Sequence, residues 1–247
     1  MSKLAGKYAI VTGAGKGIGE AIVRRFLEDG AEGVAIFERD TALLGSMAEK
    51  FAPFGSKILG IACDVADRKQ VKEAIDQTIR EFGKIHILVN NAGITRDSIF
   101  HKMRDEDWDA VLTVNLTSMY NLCRQVVPLM REQEYGKIIN LASTSAFGNA
   151  GQANYAASKA GAIGLTTTLA RECGAKNITA NCIAPGYIQT EMLDAVPEQV
   201  REGYRKQIPM RRFGQPSEVA AVASFLASDD SSFLSGQCLV VNGALQI

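Results

Sequence analysis

The sequence predicts an α/β fold: a doubly wound (Rossmann) parallel sheet of seven strands with helices on both faces. Three observations lead there. Strand-like and helix-like hydrophobic patterns alternate from one end of the chain to the other. The run from Ile85 to Val89 is nearly continuous in apolar residues, as a strand buried on both faces should be. A glycine-rich turn separates the first strand from the first helix.

The elements follow in order. Tyr8 to Val11 is a short apolar run that ends in glycines, and Ile18 to Leu27 repeats apolar residues at helical spacing. Val34 to Phe37 is the second strand, and a helix follows around Leu43 to Phe51. Lys57 to Cys63 reads as a strand, Gln70 to Phe82 as an amphipathic helix, and Ile85 to Val89 as a buried strand. A long helix is expected from about Asp107 to Met130, then a strand at Lys137 to Leu141 and a helix from Asn154 to Glu172. Ile178 to Ile183, Ser217 to Leu226 and Gln237 to Val241 complete the series as strand, helix and strand.

Nearly half of the 247 residues are apolar, enough for a large and mainly aliphatic core. No linker, charge block or repeat divides the chain, so a single domain over 1–247 is expected. Between Pro185 and about Pro216 the periodicity lapses, with Pro197, Pro209 and Gly214 as breakers. An irregular insert at the C-terminal end of a strand is expected to be a substrate lid, over about 185–216.

Composition excludes several classes. The formal net charge is zero, against a nucleic-acid or anionic-membrane partner. No stretch approaches bilayer-spanning length, and the N-terminus has no signal-peptide apolar run. Five scattered cysteines without a C-x-x-C pair, and only His86 and His101, argue against a metal site. They suit reduced thiols in a cytoplasmic protein.

Two motifs carry chemistry. In Thr12-Gly13-Ala14-Gly15-Lys16-Gly17-Ile18-Gly19, glycines permit a tight turn and close backbone approach to a pyrophosphate, which the following helix N-terminus binds. Farther on, Tyr155 and Lys159 lie four apart at the start of a helix, on one face. A cation near a phenol lowers its pKa. A phenol so tuned can protonate the alkoxide formed when a ketone accepts hydride, and reverse the step.

The T-G-x-x-x-G-x-G spacing of Gly13, Gly17 and Gly19 resembles the fingerprint of the short-chain dehydrogenase/reductase family. The resemblance extends over the chain. Asp64-Val65 is similar to the family's adenine-contacting pair, and Asn90-Asn91-Ala92-Gly93 to its N-N-A-G segment lining the cofactor cleft. Pro185-Gly186, with Ile188 and Thr190, resembles the segment gripping the nicotinamide carboxamide. The resemblance implies that Asn115 holds a proton-relay water and that Lys159 binds the nicotinamide ribose. It also implies that a serine after the fifth strand orients the substrate oxygen. Ser143 fits when counted from Asn140, whereas the interval to Tyr155 is one residue short, so Ser145 stays open.

The second strand ends in Phe37-Glu38-Arg39. An acid there accepts from the adenine-ribose hydroxyls and repels a 2′-phosphate, favouring NAD. Arg39 and Lys16 would suit NADP, which is not excluded. Gly148 to Tyr155, Ala184 to Met192 and Phe225 to Ala244 most resemble 3-oxoacyl-acyl-carrier-protein reductases. Dehydrogenases or reductases of small secondary alcohols, sugars, steroids and diketones share such segments and form the second reading. A non-catalytic nucleotide-sensing protein on the same fold is a third. The mixed charges of Arg131 to Tyr135 weigh against an acidic carrier. The resemblance further implies a homotetramer, built on the long helices and the last strand.

Overall fold

The computed structural model describes residues 2–246. Residues 1 and 247, the ends of the expected single domain, lie outside the described residues. Seven strands form one sheet: β1 (Tyr8–Thr12), β2 (Gly33–Glu38), β3 (Lys57–Ala62), β4 (Ile87–Asn90), β5 (Gly136–Leu141), β6 (Ile178–Pro185) and β7 (Cys238–Val241). Their order is β3-β2-β1-β4-β5-β6-β7, with every pairing parallel. The sheet therefore reverses its winding between β1 and β4, and a crevice opens there beyond the strand ends.

The helices are α1 (Gly17–Glu28), α2 (Thr41–Phe51), α3 (Arg68–Phe82), α4 (Asp105–Leu112), α5 (Ser118–Glu132), α6 (Ala153–Cys173), α7 (Glu191–Asp194), α8 (Glu198–Gln207) and α9 (Pro216–Ala227). Strand residues alternate between two apolar layers, which explains the continuous apolar runs. Ala9 and Val11 join Ile22, Phe26 and Ala223 on the face carrying α1 and α9. Ile10 points the other way, to Val71, Leu122 and Val126 beneath α3 and α5. In α1 the buried Gly19, Ile22, Val23, Phe26 and Leu27 keep the i, i+3, i+4 stripe of a half-buried helix. Burying a side chain such as Phe26 contributes about 1.5–3 kcal/mol.

Two expectations are corrected. The helix expected from Asp107 to Met130 is interrupted at Thr113–Thr117 by a wider π turn. Asn115 lies in that turn, fully buried. The lapse of periodicity at 185–216 does not mark an irregular insert, because α7 and α8 occupy it. No residue of α8 is fully buried, so no apolar stripe announces it. Ion pairs of Glu198 with Arg201 and Arg205, and of Glu202 with Arg205, tie its turns together. Among the described residues no helix is long and apolar enough to cross a membrane.

Candidate active site

A cleft of about 960 Å³ lies beyond the C-terminal strand ends at the β1/β4 reversal. The turn between β1 and α1 forms one wall. Gly13 has φ +59°, and a β-carbon there would stand 2.8 Å from the Ala92 Cα. A β-carbon on Gly19 would stand 2.5 Å from the Gly13 carbonyl oxygen. Only glycine permits this packing of turn, helix and β4 loop. Asn91 fixes the turn from across the crevice, its Nδ2 donating to the Thr12 and Gly13 carbonyls at 2.9 and 2.8 Å.

The cleft gathers Gly13, Lys16, Gly17, Ile18, Gly19, Glu38, Arg39, Asp64, Val65, Asn91, Ala92 and Gly93. It also gathers Ser143, Tyr155, Lys159, Pro185, Gly186, Ile188 and Thr190. Two expected residues stand behind this surface. Gly15 sits under Glu38, donating its N–H to Oε2 at 3.1 Å. Asn115 accepts from the Ile94 N–H at 2.8 Å, and its Nδ2 donates to the Ile94 carbonyl at 3.0 Å and to Ser158 Oγ at 3.2 Å. Its side chain therefore braces the loop that carries Gly93 and Ile94.

Lys159 is buried, and burial lowers its ammonium from 10.5 to about 8. It donates to the Leu141 carbonyl at 2.7 Å and lies 5.5 Å from the centre of the Tyr155 ring. A neighbouring cation is expected to depress a phenol. Instead burial pushes Tyr155 above its ordinary value, opposed by the Ser143 hydroxyl beside it. Desolvation outweighs that hydrogen bond, and the Asp97 charge adds to it. Tyr155 is thus a protonated donor at neutral pH.

Ser143 and Ser145 point to different partners. The Ser143 oxygen accepts from the Ser145 N–H at 3.1 Å and adjoins Tyr155. The Ser145 hydroxyl donates to Gln152 Oε1 at 3.0 Å, and Gln152 donates onward to Asp97 at 2.8 Å.

A family model described as Enoyl-(Acyl carrier protein) reductase matches residues 13–245. The 3-oxoacyl-[acyl-carrier-protein] reductase FabG of Thermotoga maritima is 44% identical over 246 residues, covering 99% of this chain and all of the relative. The enzyme of the same name from Chlamydia pneumoniae is 44% identical over 243 residues, 98% of each chain. That of Staphylococcus aureus is 40% identical over 240 residues, 97% of this chain and 98% of the relative. This chain belongs to the short-chain dehydrogenase/reductase family. As a short-chain dehydrogenase/reductase it is an NAD(P)-dependent oxidoreductase that interconverts a ketone and a secondary alcohol.

The residues present fit a nicotinamide dinucleotide. The glycine turn keeps its tight shape only because Gly13 and Gly19 carry no β-carbon to strike Ala92 and the Gly13 carbonyl. The buried Lys159 ammonium uses one of its three donors within the described chain, leaving two for ribose hydroxyls. Sequence reasoning missed several cleft residues of this short-chain dehydrogenase/reductase. Asp97, Gln152, Tyr187, Leu193, Tyr204 and Leu245 all reach the cleft. Gln152 and Tyr187 lay in segments already matched to the family, but polar or aromatic identity alone gave no reason to choose them. Tyr204 lies on a helix without an apolar stripe, and no local signal points to it.

Proposed function

We propose that this chain reduces 3-oxoacyl groups carried as thioesters on acyl carrier protein, using NAD(H). The observation that carries the substrate is the end-to-end likeness to relatives named for that reaction, with no large insertion or deletion. When bound, the nicotinamide supplies the hydride. Ser143 orients the substrate oxygen, and Tyr155 gives the phenolic proton to that oxygen as the alcohol forms. Lys159 binds the nicotinamide ribose and steadies the charge left on the phenolate. Asn115 has both ends of its side chain engaged by Ile94 and Ser158, so a relay water would rest on its main chain.

NAD(H) is favoured by Glu38, the last residue of β2. Its carboxylate is held by the N–H groups of Gly15, Arg39 and Asp40 at 3.1, 2.9 and 3.1 Å, a fixed negative charge against a 2′-phosphate. The segment 185–216 acts as a substrate lid within one domain. Exposed Ala157, Ala160 and Gly164 along α6, and exposed Trp108 and Tyr120, support assembly into a homotetramer, which light scattering would test. A cytoplasmic enzyme is the setting that free thiols favour.

The test is a panel of acetoacetyl and crotonyl thioesters, sugars, steroids and diketones with NADH and NADPH, for the wild type and Tyr155→Phe. Reduction of the acetoacetyl thioester that vanishes in Tyr155→Phe is expected. A sugar or steroid as the preferred substrate would refute the substrate, unaltered turnover in Tyr155→Phe the mechanism, and a strong NADPH preference the cofactor.

A further inference from the structure

Two residues of the 185–216 segment rest on the glycine turn. The Thr190 methyl would lie 3.6 Å from a β-carbon at Gly17, so this side chain sits over the turn. Next to it, Glu191 Oε2 meets Lys16 Nζ at 2.6 Å. Lys16 lies among three acids, since Glu38 and Asp40 also act on its charge. All four side chains line the cleft. Lys16 and Arg39 are the two cations on this wall, and among the described residues Arg39 makes no ion pair.

We propose that Glu191 is a specificity-determining residue for the dinucleotide, engaging Lys16 so that its ammonium does not serve a 2′-phosphate. The inference rests on the NAD(H) reading above. An ammonium is the natural counter-ion for a phosphate dianion, and a carboxylate already holding it opposes that use twice over. Glu191 competes for the cation, and it adds a third negative charge to those of Glu38 and Asp40. Diol recognition by Glu38 needs no cation and is unaffected. Selection is then divided between the end of β2, which repels the phosphate, and the start of α7, which occupies the cation that would attract it.

The experiment measures NADH and NADPH dissociation constants by nicotinamide fluorescence, without substrate, for wild type, Glu191→Gln, Lys16→Gln and the double variant. Glu191→Gln is expected to tighten NADPH about two- to fivefold relative to NADH, as one charge at an exposed pair allows. The gain should shrink as salt is raised and vanish when Lys16 is also replaced. An unchanged ratio of the two constants overturns the proposal, as does an equal gain in the Lys16→Gln background. The wild-type ratio is a separate readout: a value favouring NADPH refutes the NAD(H) reading, while the Glu191→Gln change still measures the role of Glu191.

Discussion

The Lys159 ammonium reaches from α6 to the Leu141 carbonyl at the end of β5, 2.7 Å away, in a setting that holds it to about 8. A lysine whose pKa is lower folded than unfolded binds fewer protons in the native state between those two values. Stability therefore rises as pH increases from about 8 to 10.5, and the full cost of the buried charge is present below 8. By linkage that cost is about 3 kcal/mol. Lys159→Met should remove this contribution, so that stability gains less between about pH 8 and 10 than in the wild type, and should abolish turnover. Thermal unfolding of the cofactor-free proteins from pH 7 to 10 checks it, and parallel curves would contradict it.

Ser143→Ala should lower kcat by about 10²–10³-fold, the effect of losing one donor at a developing oxyanion. Ser145→Ala should change it by less than about fivefold, because that hydroxyl is turned toward Gln152. Steady-state kinetics on an acetoacetyl thioester measure both. The reverse ranking would transfer the substrate-orienting role to Ser145.

The Tyr187 and Tyr204 rings stack with centroids 4.4 Å apart and planes 9° from parallel, joining the segment after β6 to α8. Tyr204→Ala should free α8, which has no fully buried residue of its own. Such a stack contributes about 0.5–1.5 kcal/mol. Substrate KM should rise by about three- to tenfold and limited proteolysis should accelerate within residues 191–207, while the global unfolding transition moves little. Unchanged cleavage rates would mean that other contacts hold the segment.

His86 Nδ1 accepts from the Tyr8 N–H at 3.0 Å, a bond only the neutral ring can make through that nitrogen. Burial, with lysines 7 and 84 adding to it, lowers the imidazole from 6.5 to about 4. The unfolded chain binds the proton more readily, so stability falls as pH drops from 6.5 toward 4. His86→Gln keeps an acceptor without that protonation, and its unfolding temperature should decline less over this range. Identical acid profiles would show that other groups govern it.

Local patterns made much of this legible in the sequence. The glycine turn works through neighbouring backbone, and Tyr155 with Lys159 through one helical turn, so each leaves a contiguous signature. The apolar runs of the central strands record burial on both faces directly. The break at Thr113–Thr117 was hidden because one wider turn barely disturbs helical periodicity. Helix α8 was hidden because its cohesion comes from ion pairs rather than apolar residues. The direction of the Tyr155 shift was misjudged because desolvation is the summed effect of surroundings drawn from many segments, whereas the Lys159 charge is one visible residue. The Lys16–Glu191 pair joins residues 175 positions apart, beyond any local pattern.

The Asn91 amide that clasps the Thr12 and Gly13 carbonyls arrives 78 residues after the turn it shapes. A growing chain can form β1, α1 and β2 early, yet the turn lacks the Asn91 clasp until β4 has been made and has paired with β1. Dinucleotide affinity should thus appear late, after a long-range contact whose closure is slow compared with helix formation. Because ligand binding favours only the state in which that contact exists, the cofactor would act during refolding as a trap for chains with the β1–β4 junction in register.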